Sequence, residues 1–195
     1  MSVEIAAAGG RQPVLADLIG RSRVKDLALI AGGAAWVAGL GQVSIPLGFT
    51  PVPISLGTLA VLTAGAALGA RRAAGAMVLF LAAGLAGAPV FAGWQGGIGL
   101  PTMGYAVGYV FAAGLAGWAA ERRLDRSYWK TAAVMALGSA VIYAFGAPYL
   151  AVAAGLTPAQ ALALGVAPFL IGDLIKTLIG AGLLPGLWRA IGAKR

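Results

Sequence analysis

Residues 168–183 read PFLIGDLIKTLIGAGL, an apolar stretch that is interrupted by Asp173 and Lys176. It lies within a longer apolar segment, at about residues 159–184, which is long enough to cross a bilayer as a helix. A charged side chain near the bilayer centre costs about 2.5–3.5 kcal/mol on insertion scales. An ionisable residue at that depth indicates a functional site, so this stretch predicts a membrane helix that carries one.

The composition extends the membrane assignment to the whole chain. Of the 195 residues, 60% are hydrophobic and only 10% are charged, whereas soluble domains carry about 25% charged residues. The chain is therefore predicted to be an integral membrane protein. Because a membrane helix needs about 20 residues, the length permits about six crossings and leaves no room for a separate soluble catalytic domain.

Six apolar segments follow one another, and each is predicted to be a helix because backbone polar groups in lipid must be hydrogen-bonded internally. The predicted fold class is all-α, with one polytopic membrane domain over residues 1–195. Residues 1–25 contain no long apolar core and are expected to form a cytoplasmic lead-in rather than a signal peptide. The six segments lie at roughly 27–45, 54–70, 73–90, 102–120, 131–155 and 159–184.

Basic residues mark the predicted membrane topology. They cluster beside the ends of apolar segments, and the connections near 46–53, 91–101 and 156–158 contain no Lys or Arg. By the positive-inside rule this alternation predicts six crossings with both termini in the cytoplasm, and of the 14 basic residues only Lys176 departs from it. The net charge of +8 then reflects topology, and no nucleic-acid partner is expected. The clusters are Arg11 to Lys25, Arg71 and Arg72, Arg122 to Lys130, and Arg189 to Arg195.

The chain contains no cysteine and no histidine. Disulfides, thiolate nucleophiles, imidazole bases and the usual zinc sites are therefore excluded. One aspartate and one lysine offer few groups for catalysis, so we expect neither an enzyme nor a bound metal or cofactor. A proton relay is also disfavoured, because such relays string several acids or histidines through the membrane.

Asp173 and Lys176 are three residues apart and therefore share one face of a helix. Asp173 accepts hydrogen bonds from N–H groups, and Lys176 donates them to a carbonyl or a carboxylate. A ligand that suits both residues presents donors and acceptors together on a compact polar head and is apolar elsewhere. The alternative is a salt bridge that only ties helices together.

Two uncharged connections are candidates for covering such a ligand. PLGFTPVPISLGT, residues 46–58, has three prolines that favour an extended path, so it is either a simple connection or a lid. PVFAGWQGGIGLPTMGYAVGY, residues 89–109, combines glycines, which allow close backbone approach, with aromatic rings, which supply apolar walls. The second connection is interpreted as part of a small-molecule pocket. Its candidate ligand-binding residues are Phe91, Trp94, Gln95, Gly97 and Tyr105.

Small residues recur along the first apolar segment in two stripes, and small stripes let helix backbones approach closely. Either stripe serves close packing within the chain or the docking of another membrane subunit, and the sequence leaves both alternatives open. One stripe consists of Ala28, Gly32, Ala35 and Gly39, and the other of Ala31, Ala35 and Ala38.

Four motifs together resemble the BioY family, the biotin-binding S components of energy-coupling factor (ECF) transporters. They are PVPISLGT, GLAGAPVFAGWQGGIGLPTMGYAVGY, DLIK at 173–176 and the terminal LLPGLWRA, and they occur in this order over roughly residues 25 to 192. Each motif alone is weak, but four in register in a six-helix chain of this size form a specific signal.

The resemblance implies a six-helix subunit of the bacterial cytoplasmic membrane that binds biotin from the outer side with high affinity. It implies an ECF transmembrane coupling protein and cytoplasmic ATPases as partners, and this chain, which has no P-loop, is expected to hydrolyse nothing itself. Carried over by position, Asp173 and Lys176 contact the polar part of biotin, with Asp173 accepting a ureido N–H. Ala31 and Ala35 match the face that docks the coupling protein.

The chain departs from the commoner family pattern in two places. Family members often read PVTLQT where this chain has PISLGT, so Gly57 stands in place of an amide side chain. Trp94 and Gln95 replace the polar residue often found in the glycine-rich loop. Whether Lys176 serves the ureido carbonyl or the carboxylate of biotin is left open. Two other hypotheses are an S component for another vitamin, such as thiamine or riboflavin, and a membrane scaffold that transports nothing.

Overall fold

The computed structural model describes residues 11–20 and 22–192. Residues 1–10 of the predicted lead-in, Arg21 and the last three residues of the final basic cluster lie outside the described residues. In the described part, seven α-helices and one short antiparallel ribbon follow one another. The helices are α1 (Arg23–Gly41), α2 (Gly57–Leu68), α3 (Ala70–Leu85), α4 (Met103–Ala120), α5 (Tyr128–Ala153), α6 (Pro158–Gly165) and α7 (Leu170–Gly192), and the strands are β1 (Ser44–Ile45) and β2 (Ile54–Ser55).

The first five predicted segments each correspond to one helix, with ends that differ by a few residues. The sixth is divided into α6 and α7 by a short 3-10 turn, Ala167–Phe169, that contains Pro168. Proline has no N–H to donate and its ring clashes with the preceding turn, so a continuous helix through Pro168 is disfavoured. Thr157 begins α6 by accepting a hydrogen bond from the Gln160 N–H, with Pro158 at the first helical position.

Within the described residues, four helical stretches are long and apolar enough to cross a membrane. They are Arg23–Gly41, Met103–Ala120, Tyr128–Ala153 and Pro158–Gly192, and the last combines α6 with α7. Helix α2 is apolar but shorter. The chain is thus mostly helical with several apolar spans, as the composition predicts.

The all-α prediction missed the ribbon. Ser44 pairs with Ser55 and Ile45 with Ile54, so the chain leaves α1, turns through the proline-rich connection and returns to α2. The Leu56 N–H donates to Val43 O over 3.0 Å, which extends the pairing. Prolines keep this connection out of a helix, and the flanking residues satisfy their backbone groups by pairing instead.

Helix α2 is the centre of the bundle, because it contacts α1, α3, α4, α5 and α7, and most of its residues are buried. Glycine makes this packing possible. A Cβ at Gly65 of α2 would lie 2.7 Å from Ala113 O of α4, closer than real Cβ atoms come to backbone oxygens. Small residues on α2 and α4 therefore serve close packing within the chain.

The two small stripes of α1 differ from those inner glycines. Ala31 and Ala35 are exposed, and a Cβ added at Gly32 or Gly39 would meet no described atom within 4 Å. The face of α1 that packs into the bundle contains Gly33 and its neighbours instead. The predicted stripes therefore lie mostly on an uncovered surface of the described chain, whereas Ala38 is partly buried against the core.

One end of the bundle, here called the basic end, holds residues 11–20, 22–26, 70–72 and 121–130 and the end of α7. Asp17 is buried there and pairs with Arg72 at 2.8 Å and with Arg11 at 3.1 Å. Arg72 also pairs with Asp26 at 2.8 Å, so it joins the beginnings of α1 and α3. Burial acts to raise the pKa of Asp17, but hydrogen bonds from Arg72, the Val14 N–H and Arg11 outweigh it and hold the pKa below its ordinary value.

The LLPGLWRA motif also acts at the basic end. Trp188 donates its indole N–H to Asp125 over 2.5 Å, and the Arg126 guanidinium lies 4.0 Å above the Trp188 ring. Burial raises the pKa of Asp125, although the bond from Trp188 and the charge of Arg126 oppose it. Helix α7 is in this way fixed to the turn between α4 and α5.

Candidate small-molecule pocket

A pocket with a volume of about 80 Å³ lies among the helices at the end opposite the basic end. Helices α1, α2, α3, α4, α5 and α7 line it, together with the two uncharged connections. Its polar side chains include Asp173, Lys176, Tyr143, Tyr109 and Ser55, and its aromatic walls include Phe80, Phe91, Tyr105 and Phe169.

The buried pair forms the polar end of this pocket. Lys176 donates a hydrogen bond from Nζ to Asp173 Oδ1 over 2.7 Å, and the two residues are 7% and 6% exposed. Both lie on one face of α7, as their spacing predicts, and both line the pocket. Opposite charges so close together reduce the cost of burying either, and both groups keep lone-pair or N–H positions that their own bond does not use.

Tyr143 of α5 completes the polar end and was not among the residues predicted from the sequence. Its hydroxyl donates to Asp173 Oδ2 over 2.5 Å. Its ring is perpendicular to that of Tyr105, with the ring centroids 6.5 Å apart. In the sequence Tyr143 is one aromatic residue in a long apolar segment, and only the pairing of α5 with α7 brings it to the carboxylate. The sequence feature that could have identified Tyr143 is a tyrosine, an aromatic residue with a polar hydroxyl, in the middle of a membrane segment.

An aromatic wall of the pocket is built on α3, α4 and the loop between them. Phe91 packs edge-on against Phe80 with ring centroids 5.4 Å apart, and Tyr109 lies beside Phe80 at 6.2 Å. The Phe91 ring rests on Gly84, where a Cβ would lie only 2.1 Å from the ring. Gly84 is thus needed for Phe91 to reach the pocket, and Phe91 is one of the predicted ligand-binding residues that line it.

Tyr105, also predicted, lines the pocket with its ring while its hydroxyl donates to Gly165 O over 2.8 Å. The ring is packed so closely that a Cβ at Gly146 would lie 2.3 Å from it, and one at Gly165 would lie 2.4 Å from the hydroxyl oxygen. Tyr105 therefore joins α4 to the end of α6. Its single hydroxyl proton is committed to that carbonyl.

The other predicted loop residues lie outside the pocket lining, in the described structure. Trp94 is 71% exposed and adopts a positive φ of 58°, and Gln95 is exposed while its backbone pairs with that of Phe91. The Gly97 N–H donates to Gly84 O over 2.7 Å, at a φ of 97° that favours glycine. These three residues shape the loop that presents Phe91.

Gln42, at the end of α1, holds that loop and was also missed. Its side-chain N–H₂ donates to the carbonyls of Val90 at 3.2 Å and Phe91 at 3.1 Å. Its carbonyl oxygen accepts the Trp94 N–H at 2.8 Å. One amide side chain therefore satisfies three backbone groups of a loop about fifty residues away. No local pattern identifies such a residue, because its partners become neighbours only in the folded chain.

The proline-rich connection supplies part of the pocket wall. Val52 and Pro53 line the pocket, and the Thr50 hydroxyl donates to Leu164 O over 2.9 Å, which fixes the connection to α6. Where this connection meets α2, a Cβ at Gly57 would lie 2.6 Å from the Tyr109 hydroxyl oxygen and 3.1 Å from Ser55 Oγ. Both hydroxyls line the pocket, so they occupy the space that a side chain at position 57 would take.

Helices, several of them apolar and of membrane-crossing length, surround a pocket with aromatic walls and an ion pair at its polar end. This fold and site define a membrane protein that binds a small, partly polar molecule. The chain matches the BioY family over residues 12–193 and belongs to that family.

Several relatives are similar over most of the chain. The biotin transporter BioY of Rhizobium etli is 39% identical over 168 residues, covering 80% of this chain and 89% of the relative. That of Rhodobacter capsulatus is 38% identical over 169 residues, with 80% and 88% covered. The crystal structure of an S component for biotin from an ECF-type ABC transporter superposes with a TM-score of 0.76 at 28% identity, covering 86% of this chain and 92% of that one.

Proposed function

We propose that this chain is a biotin-capturing subunit of a vitamin importer. The observation that carries the proposal is the ion pair of Asp173 and Lys176 at the polar end of an aromatic pocket, in a chain of the BioY family. A binding subunit needs to hold its ligand without reacting with it, so the chain is a transport component and not an enzyme.

Biotin suits the chemistry of this pocket. Its ureido ring offers two N–H donors and one carbonyl, while its thiophane ring and valeryl chain are apolar. The Asp173 carboxylate accepts a ureido N–H, and Lys176 donates to the ureido carbonyl or to the carboxylate. The rings of Phe91 and Tyr105 line the same pocket and provide apolar walls for the rest of the molecule.

The proposed topology has six membrane crossings in a single domain over residues 1–195. Helices α1 to α5 each cross once, and α6 with α7 crosses as one broken helix. Both termini and the basic end then lie in the cytoplasm of a bacterial cell, in agreement with the basic clusters at that end. The pocket, at the opposite end, faces the outer side from which biotin arrives.

The proposed partners are an ECF transmembrane coupling protein and cytoplasmic ATPase subunits. Ala31 and Ala35 lie on an exposed face of α1, and small side chains there let a partner helix approach closely. The energy for uptake comes from the ATPases, while this chain supplies recognition.

Equilibrium binding to the chain purified in detergent tests the proposal. Labelled biotin should bind, and unlabelled thiamine or riboflavin should not displace it. Asp173→Ala and Lys176→Ala should each weaken binding by about tenfold or more, because a buried charged partner is left unpaired. Leu174→Ala, on an exposed face of α7, is the matched control and should bind as the parent does. The proposal would be refuted if both Asp173→Ala and Lys176→Ala bound biotin as tightly as the parent. It would also be refuted if the chain bound another vitamin and not biotin.

A further inference from the structure

The protons at the polar end of the pocket can be assigned. Asp173 is paired with Lys176, and an ionised carboxylate only accepts hydrogen bonds. The 2.5 Å bond between Tyr143 and Asp173 therefore uses the hydroxyl proton of Tyr143. Since a phenol has one proton, the Tyr143 oxygen can act toward a ligand only as an acceptor.

Tyr143 also supplies a constraint that the ion pair lacks. Asp173 and Lys176 lie three residues apart on α7, so their bond is local and does not fix the carboxylate relative to the other helices. Tyr143 comes from α5, which packs against α4 and α7, and its ring is held edge-on against Tyr105. The Tyr105 hydroxyl is itself bonded to Gly165 O. The Asp173 carboxylate on α7 is thus oriented by a chain of contacts through α5, α4 and the end of α6.

We propose that Tyr143 is a specificity residue for the biotin head: it orients Asp173 and offers a second acceptor beside it. This rests on the proposed function. Asp173 and Tyr143 then present two acceptors and Lys176 one donor, which complements the two N–H groups and one carbonyl of a cyclic urea. A ligand head that lacks one of these N–H groups leaves a buried acceptor unpaired, and such a site rejects it strongly.

The test combines one substitution with a ligand series. Affinities are measured for biotin and for its two derivatives methylated on one or the other ureido nitrogen, with the parent chain and with Tyr143→Phe. Tyr149→Phe removes a hydroxyl six residues further along α5, from a ring packed against Gly104, and serves as the control. Melting temperatures of the three chains report whether each is folded.

We expect Tyr143→Phe to weaken biotin binding by about tenfold, because a hydrogen bond to a charged group is lost. The parent should discriminate against both methylated derivatives. Discrimination is measured as the ratio of the affinity for biotin to that for a methylated derivative. In Tyr143→Phe this ratio should fall at least about fivefold for one derivative and stay unchanged for the other, because only one ureido nitrogen faces the tyrosine oxygen. Tyr149→Phe should match the parent throughout.

Three results would overturn the inference. One is a folded Tyr143→Phe that binds biotin within twofold of the parent, and another is a Tyr143→Phe that keeps both discriminations intact. The third result is that the parent chain binds both methylated derivatives as tightly as biotin. It requires no variant, so it tests the inference even if Tyr143→Phe does not fold. The proposed function fails separately, when the parent binds no biotin or when Asp173→Ala and Lys176→Ala bind it normally.

Discussion

A Cβ placed on Gly57 would lie 2.6 Å from the hydroxyl oxygen of Tyr109, although the two residues lie on different helices. A side chain at position 57 and the hydroxyl of Tyr109 would therefore compete for the same space. In this chain the tyrosine hydroxyl fills the space that a side chain at position 57 would take.

Gly57→Ala should weaken biotin binding at least about fivefold, because overpacking a closed site costs about 1 kcal/mol or more and displaces the Tyr109 hydroxyl. Adding Tyr109→Phe to Gly57→Ala should recover part of the loss by removing the clashing oxygen. Titration with labelled biotin measures both. Gly114→Ala on α4, where a Cβ meets no described atom within 4 Å, is the control. Full affinity in Gly57→Ala would show that the pocket tolerates the added methyl group.

Gln42→Ala should loosen the loop over residues 86–102. It removes the donor to the carbonyls of Val90 and Phe91 and the acceptor of the Trp94 N–H. Losing bonds of this kind costs about 1–3 kcal/mol, so amide hydrogen exchange in the loop should accelerate at least about fivefold, and biotin affinity should fall as Phe91 is released. Gln160→Ala, which removes the capping amide of α6, should leave exchange in this loop unchanged. Unchanged exchange in Gln42→Ala would contradict the assigned role.

Asp17 should make the stability of the chain depend on acid pH. Its pKa is held below the ordinary value of 3.8, so the carboxylate contributes stability above that value, and the contribution is lost as pH falls through the lowered pKa. Asp17→Asn should lower the free energy of unfolding by about 3 kcal/mol at pH 7, because the partners of a buried ion pair are left uncompensated. Melting temperatures of parent and variant should converge as the pH falls below about 4.

Asp26→Asn is the matched control for Asp17. It removes another carboxylate that pairs with Arg72, but its side chain is 43% exposed. Pairs exposed to this extent contribute about 0–1 kcal/mol, so a small change is expected. An equal loss of stability in the two variants, or a constant gap between parent and Asp17→Asn at every pH, would contradict the account of the basic end.

Ala35→Leu should separate binding from uptake. The side chain is exposed on α1, so the substitution leaves the pocket intact and biotin affinity unchanged. A larger side chain keeps a partner helix from approaching, so biotin uptake by cells that also express the coupling protein and ATPases should be strongly reduced. Leu137→Trp, on an exposed part of α5, is the control and should transport normally. Normal uptake by Ala35→Leu would place the docking surface elsewhere.

The sequence predicted the parts of this molecule that depend on local pattern. Hydrophobic segments located the helices, and the spacing of Asp173 and Lys176 placed both side chains on one face of α7. What was missed depends on contacts between distant segments. Tyr143 and Gln42 gain their roles only because α5 lies beside α7 and the end of α1 lies beside the glycine-rich loop.

The distinction between local pattern and contacts of the folded chain also explains why the loop residues were predicted only in part. Glycines and rings marked residues 89–109 as part of the pocket, and Phe91 and Tyr105 do line it. The direction in which each loop side chain points is set by positive φ angles at several glycines and at Trp94, and composition does not encode that. The division of the last apolar segment into α6 and α7 at Pro168 was not predicted, because whether a proline bends or divides a helix depends on the surrounding packing.

The central claim is that Asp173 and Lys176 bind the polar head of biotin. A crystal structure of the purified chain with biotin tests it most directly. The account predicts a ureido nitrogen within about 3 Å of the Asp173 carboxylate, with Lys176 Nζ at a similar distance from a biotin oxygen. Biotin bound elsewhere, with Asp173 and Lys176 contacting only neighbouring helices, would contradict the claim.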